Sequence, residues 1–366
     1  VGTGQCEYPT SRRAAHGIMR IWLHIGPDPR ASDRLQQVLE TRRERLASEG
    51  ILLPERLGKR NHTRLFMAAT DPQTVDLMRE SRGYATPERQ ETLRADTVAR
   101  LTREIARKRP HTVILTAHQL GSGLVTRSEL ARLHAMLAPH SNDIRVVALV
   151  DDPARMALSR YAAQLKDGRV RDLTQELELV DAPDFRTAAL NSRPKSQAEI
   201  GCFGDVQGVI AHLDIIGLVR RWEDVFGTGS VDLHSAATED LYGARATETL
   251  RRCFALEPGL GRAEPMRPPA LPSAAALSRY RRFNKELLRY FARRGQALPR
   301  KEWRRLLSEL DCDGPPPQAG GLSRLSIRFA DDLRALAQRH PGLDARQIAP
   351  DAALEPWSEA DPRYGF

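Results

Sequence analysis

Three short apolar runs in this sequence each end on residues able to handle charge or protons. Ile21–Ile25 breaks at Gly26-Pro27 and leads into Asp28-Pro29-Arg30-Ala31-Ser32-Asp33-Arg34, Val113–Ala117 ends at His118, and Ile144–Val150 ends at Asp151-Asp152-Pro153. After the first break the apolar residues return at helical spacing, at Leu35, Val38 and Leu39, then Leu46. Strand, tight turn and helix in that order aim backbone N–H groups and the positive end of a helix at one point, which makes a cradle for phosphate or sulfate. A neutral histidine at the end of a neighbouring strand, as at His118, can accept a proton. The same turn also has a plain structural reading. Ser32 or Asp33 caps the helix, whose dipole favours a carboxylate, and no ligand is required.

For these turns to form one site, the runs must lie side by side. Helical patterns separate them: 33–48, 63–69, two helices within 71–110 opened by Pro72 and Pro87, and 128–137. Ile51-Leu52-Leu53-Pro54 reads as a short buried extended piece. Continuous apolar strands alternating with helices predict an α/β fold with a central, mainly parallel sheet flanked by helices. Ligands in such sheets sit at the carboxyl ends of the strands, which places 26–33, 116–123 and 151–159 beside one another. Further on, a helix opened by Pro153 runs to Gly168, others cover 206–226, 238–255, 276–294, 301–310 and 323–339, and Val231–His234 is a short strand. The expected organisation is a disordered segment 1–18, an α/β domain over 19–260, and a helical extension over 261–366 packed on the same domain. Met19, directly before the first strand, reads as the natural start.

Composition narrows the classes. The chain has 366 residues, 41% hydrophobic and 28% charged, with a net charge of +9. No apolar run is long enough to span a membrane, and the first 18 residues lack the apolar centre of a signal peptide. The four cysteines (Cys6, Cys202, Cys253, Cys312) form no metal or redox motif, which points to reduced thiols and a cytoplasmic location. Six of the 56 basic residues are lysine and the rest arginine, a broad bias that permits an anionic ligand. Zinc-finger spacing, an aromatic RNA motif and a continuous basic helix are all missing, which argues against nucleic acid. Nothing in the pattern specifies an oligomer.

Several stretches, in order, resemble the bacterial sulfotransferase family. Leu23-His24-Ile25-Gly26 and Leu35-Gln36 match the family's opening strand, turn and helix, and Gly50-Ile51-Leu52-Leu53-Pro54 and Asn61-His62 match the segments that follow. Leu158-Ser159-Arg160-Tyr161 and Lys166-Asp167-Gly168 are similar to the segment that holds the nucleotide's 3′-phosphate. Arg221-Trp222 and Val225-Phe226-Gly227 resemble a late landmark. The resemblance covers about residues 20–260. It implies a P-loop-type α/β fold, 3′-phosphoadenosine-5′-phosphosulfate as co-substrate, no metal, and transfer of a sulfuryl group to a hydroxyl of a glycan or small acceptor.

The departures from that family fall on the chemistry. A lysine of the family's turn neutralises charge developing on the bridging oxygen; its position here is Pro29. Arg30, with Arg34, is the expected replacement, since a guanidinium is permanently charged and its fork suits sulfate and phosphate oxygens. Gly26 and Ser32 complete the cradle. Asp151 stands where the family's third strand ends in arginine, leaving Arg155, one turn before Ser159, and Lys166 to supply charge near the 3′-phosphate. His118 is the first candidate for the base and His62 the second, while His24 reads as a core histidine. The implied partners are an anionic nucleotide and a hydroxylated acceptor. The alternative reading is a catalytically inactive relative that keeps the fold as a binding or interaction protein. A P-loop kinase is a poorer reading, because Gly-Lys-Ser/Thr is missing.

Overall fold

Alternation within the apolar runs decides the architecture. The computed structural model describes residues 19–257 and 259–361. The segment expected to be disordered, 1–18, lies outside the described residues. Strands β1 (Arg20–Pro27), β2 (Ile51–Leu52), β3 (Thr112–Thr116), β4 (Asp143–Val150) and β5 (Val231–Ser235) form one sheet in the order β2-β3-β1-β4-β5. Every pairing is parallel. The expected α/β class is therefore what the chain adopts, and Ile51-Leu52, read as an extended piece, is one of the sheet's two edge strands.

Successive side chains of a strand point to opposite faces. Ile21, Leu23 and Ile25 of β1 join one buried layer with Val113, Leu115, Val146 and Ala148. Trp22 joins the other, with Ile114, Val147, Leu149 and the apolar stripe Leu35, Val38 and Leu39 of the following helix. His24 falls on this second face, where its Nδ1 meets Thr116 Oγ1 at 2.8 Å and Gln36 Nε2 donates to the same hydroxyl at 3.0 Å. Truncating a fully buried leucine such as Leu23 to alanine removes about 2–5 kcal/mol.

The helix after β1 spans Pro29–Thr41, not 33–48. Pro29 takes the first helical position, where a missing N–H is harmless, and Asp28 is the cap: its Oδ1 accepts from Ala31 N at 2.8 Å. This corrects the expectation that Ser32 or Asp33 caps it. A second helix, Arg43–Ser48, continues beyond a break at Arg42. Pro72 starts no helix; Asp76 caps Leu77–Ser81 instead, and Pro87 opens Pro87–Lys108 as expected. The stretch 206–226 divides into Gly204–Gln207, Ala211–Leu213 and Ile215–Phe226. The break lies at Gly208, where a Cβ would fall 2.3 Å from Arg193 Cγ. Similarly, 238–255 divides at Gly243 into Thr238–Tyr242 and Ala246–Phe254.

From Ala274 on, three helices (Ala274–Arg294, Arg300–Glu309, Ser323–Arg339) are joined and followed by irregular segments, and Leu277, Tyr280, Trp303, Leu325 and Phe329 share the first buried layer. Helix Ser323–Arg339 packs on helix Pro153–Lys166. Ser326 Oγ donates at 3.0 Å to Asp152 Oδ1, the buried cap of that helix. Among the described residues no helix is long and apolar enough to cross a membrane.

Candidate functional site

The strand order β3-β1-β4 brings the three turns together as expected. Gly26 has φ +84° and its Cα faces the backbone of His118: a Cβ there would lie 2.8 Å from both His118 Cα and O. Only glycine allows that approach. On the other side, Arg30 Nε donates to Ser159 Oγ at 3.2 Å, joining residues 129 apart in sequence. Tyr242 donates its hydroxyl to the Arg30 carbonyl at 3.1 Å. Arg30 and Arg155 both line a cleft of about 460 Å³, together with Gln318, Asp351 and Leu354 of the C-terminal segment. Among the described residues, the terminal N–H groups of Arg30 have no protein partner.

Several expected ligands are already engaged. Ser32 is fully buried and its Oγ donates to Asp28 O at 2.6 Å, so its hydroxyl closes the turn and does not line the cleft. Arg34 points away from the cleft. Its Nε donates to Leu241 O at 2.9 Å and its Nη2 to Glu264 O at 2.7 Å, pinning the segments after β5 to helix Pro29–Thr41. Arg155 uses all five N–H groups: Nε and Nη2 on Asp151 Oδ1 (2.9 and 2.6 Å), Nη1 on Asp351 Oδ1 (2.7 Å) and Ala349 O, and Nη2 on Gln347 O. Lys166 is exposed at the far end of its helix, about 16 Å along the axis from Arg155 at 1.5 Å per residue, and is not among the residues that line the cleft.

The histidines separate clearly. His62 is fully buried with both nitrogens bonded, Nδ1 accepting from Thr116 N at 3.1 Å and Nε2 donating to Pro54 O at 2.8 Å. Burial holds its pKa down to about 4. It is a structural pin between two turns, which corrects its candidacy as base. His24 is buried as expected, but its Nε2 has no partner. His118 is half-buried. Asn61 Nδ2 reaches its Nδ1 at 3.4 Å, and the same Asn61 group donates to Gln119 Oε1 at 3.1 Å. Accepting at Nδ1 leaves the proton on Nε2, so the free edge of the ring donates. Burial, and then the charge of Arg160, lower its pKa to about 3. His118 is neutral at pH 7, yet a far weaker base than a free imidazole.

Carboxylates also crowd the turn. Burial and the neighbouring Asp28 raise the Asp33 pKa above the ordinary range. The residue that the sequence reading passed over is Arg160. It directly follows Ser159, and the charges it feels include Asp205 and, on the turn, Asp28. Its sequence signal is its place in Leu158-Ser159-Arg160-Tyr161, directly after Ser159.

No protein-family model matches the chain, and no curated protein matches it. Among solved structures, the crystal structure of a sulfotransferase from Alicyclobacillus acidocaldarius is similar at 14% identity and a TM-score of 0.40, over 78% of this chain and 100% of that one.

Proposed function

We propose that this protein binds a nucleotide of the adenosine 3′,5′-bisphosphate type in the cleft lined by Arg30 and Arg155, beside Ser159, and transfers a sulfuryl group from 3′-phosphoadenosine-5′-phosphosulfate to a hydroxyl. The contact of Arg30 with Ser159 carries this reading. Two loops that the sequence resemblance assigns to one ligand touch each other at the carboxyl edge of the sheet, beside a cleft of about 460 Å³. The donor set suits the ligand: Arg30 keeps terminal N–H groups free, and guanidinium groups favour sulfate and phosphate oxygens.

In the transfer, the acceptor oxygen–sulfur bond forms as the sulfur–oxygen bond to the 5′-phosphate breaks. The electron pair of that bond passes to the phosphate oxygen, and the acceptor proton leaves to solvent or a weak base. Arg30 would hold the departing phosphate and neutralise its growing charge, the part played elsewhere by a lysine. A loose transition state, like that of phosphoryl transfer, asks little of a general base. His118, with its proton on Nε2, then serves to orient oxygen atoms and not to remove the proton.

Calorimetry with adenosine 3′,5′-bisphosphate tests the reading on the wild type, Arg30→Ala and Arg155→Ala. Binding near micromolar, roughly −8 kcal/mol, with at least a tenfold loss in Arg30→Ala, is expected. No binding at millimolar ligand would overturn it.

A second reading, an inactive relative that keeps the fold, is favoured by one specific observation. Arg155 has no donor left over, because Asp151, Asp351 and two carbonyls take them all. Under that reading Arg155→Ala lowers stability and leaves ligand binding untouched.

A further inference from the structure

We propose a second anion site on the inner side of helix Pro153–Lys166, where Arg160 and Arg193, with the rings of His118 and His212, receive an oxyanion carried by a ligand other than the nucleotide: a sulfate, phosphate or carboxylate group of the acceptor. Four separate segments supply these residues. The Arg193 stem lies over Gly208, which admits it only because it has no Cβ. Gln164 Nε2 ties helix Pro153–Lys166 to the same segment through the carbonyls of Asp205 and Gly208, both at 3.4 Å.

Charges in this region are unanswered. Among the described residues the guanidinium groups of Arg160 and Arg193 make no hydrogen bond or ion pair, and Arg193 Nε is sealed from solvent without a partner. Arg221 Nε and Nη1 and Arg186 Nε are also sealed without a partner, although Arg186 Nη2 donates to Val125 O. His212 is 5% exposed and its ring has no hydrogen bond. Burial, and then the charges of Arg160, Arg193 and Arg221, hold that ring neutral, well below the ordinary histidine range.

Carboxylates are near but do not close the gap. Asp205 faces both Arg160 and Arg193 without reaching ion-pair distance, and its Oδ1 is itself without a partner. Glu129, which Arg193 also feels, accepts from the backbone N–H groups of Asp71, Val125 and Thr126. Asp214, near Arg186 and Arg221, caps helix Ile215–Phe226. Asp28, near Arg160, caps helix Pro29–Thr41. Both arginines are part-buried, so a ligand can reach them, and one oxyanion between two arginines and a histidine N–H would satisfy several donors at once.

That the oxyanion belongs to an acceptor rests on the transfer reading above; an anion site at these arginines stands apart from the nucleotide, and the test separates the two. Melting of the full chain is followed with millimolar sodium sulfate against sodium chloride at equal ionic strength. The wild type should show a saturable rise of roughly 2 °C or more. Arg193→Met should melt in chloride no lower than the wild type, since it removes an unpaired charge, and should lose the sulfate rise. A merely structural Arg193 would instead lower the melting point and leave the rise intact. Arg160→Gln provides a second variant with the same expected loss. Arg155→Gln, in the cleft, should keep the rise. Saturating adenosine 3′,5′-bisphosphate should leave the sulfate response in place; if it abolishes the response, the oxyanion is the nucleotide's own and the separate site is overturned. A sulfate response absent in the wild type, or unchanged in both arginine variants, overturns it as well.

Discussion

Helix Pro153–Lys166 carries two arginines five residues apart with opposite circumstances. Arg155 faces the cleft and has every N–H bonded to protein, while Arg160, part-buried, has none bonded among the described residues. A third arginine, Arg169, just beyond the helix, shows what a fully buried and satisfied cation looks like. Its Nη1 and Nη2 form a fork with Glu176 at 2.8 and 2.9 Å, Gln164 Oε1 and two carbonyls take the other bonds, and both partners are 0% exposed. The lesson is that an arginine's position near a plausible site says little about ligands. Whether the fold has already supplied its partners says more. By that measure Arg169 is structural, Arg155 is occupied by the C-terminal segment, and the Arg160–Arg193 region is where the molecule lacks counter-charge.

The sharpest test of this contrast is Glu176→Ala. It converts Arg169 into an uncompensated buried charge and should cost about 3–5 kcal/mol, read from the urea midpoint. A loss below about 1 kcal/mol would mean that buried arginines here tolerate isolation, and the case for a ligand at Arg160 and Arg193 would fall with it.

The histidines repeat the contrast and give the next largest effect. His24 and His62, with pKa values of about 3 and about 4 in the fold, bind fewer protons than the unfolded chain, whose histidines titrate near 6.5. Stability should therefore be complete above pH 6.5 and fall as the pH drops toward 4, by about 1.4 kcal/mol per pH unit for each histidine. Asp76, raised to about 6 by burial and by Asp205, acts in the opposite direction below pH 6. Urea unfolding at pH 7, 6 and 5 measures the slope, and His62→Gln should lower it by about one proton. An unchanged slope would show that His62 is not held neutral.

Much of this could be read from the sequence because it depends on local pattern. The continuous apolar runs at 21–25, 112–117 and 144–150, with helices between them, pointed to a parallel sheet and so to the adjacency of three turns. The cap at Asp28 was equally local, yet the sequence reading placed it at Ser32 or Asp33. A proline at the first helical position is the sign that was missed. His118 was placed correctly at the end of β3, but its tautomer depends on Asn61, a contact across a loop. The inner cluster left no local trace at all. Its members at 118, 160, 193 and 212 meet only through tertiary packing, and in so arginine-rich a chain no single arginine stands out. The occupation of Arg155 was hidden for the same reason, because Asp351 lies 196 residues away.

That occupation yields a prediction of intermediate size. Asp351→Asn removes one of the two carboxylates on Arg155 and leaves Asp151 in place. Under the nucleotide reading, affinity for adenosine 3′,5′-bisphosphate should rise, by up to about tenfold, since the ligand no longer competes with that charge. Stability should change by less than about 1 kcal/mol, because Asp351 is 48% exposed at the side chain. Unaltered affinity would favour the reading in which Arg155 only fastens the C-terminal segment.

The smallest effect is expected at Tyr242, which meets Arg30 at its backbone carbonyl and does not itself line the cleft. Its hydroxyl donates to the Arg30 carbonyl, and its ring lies beneath the Arg34 guanidinium at 5.7 Å. Tyr242→Phe keeps the ring and the cation–π contact and removes one hydrogen bond, about 0.5–1.5 kcal/mol of stability. Arg30 is also held by Ser159, so nucleotide affinity should fall by less than about threefold, and the sulfate response of the inner cluster should stay unchanged. A large loss of nucleotide binding would show that Arg30 is aimed by its backbone through Tyr242, with Ser159 a bystander. The cleft would then be organised from helix Thr238–Tyr242, and Ser159→Ala, measured beside it, would be nearly silent.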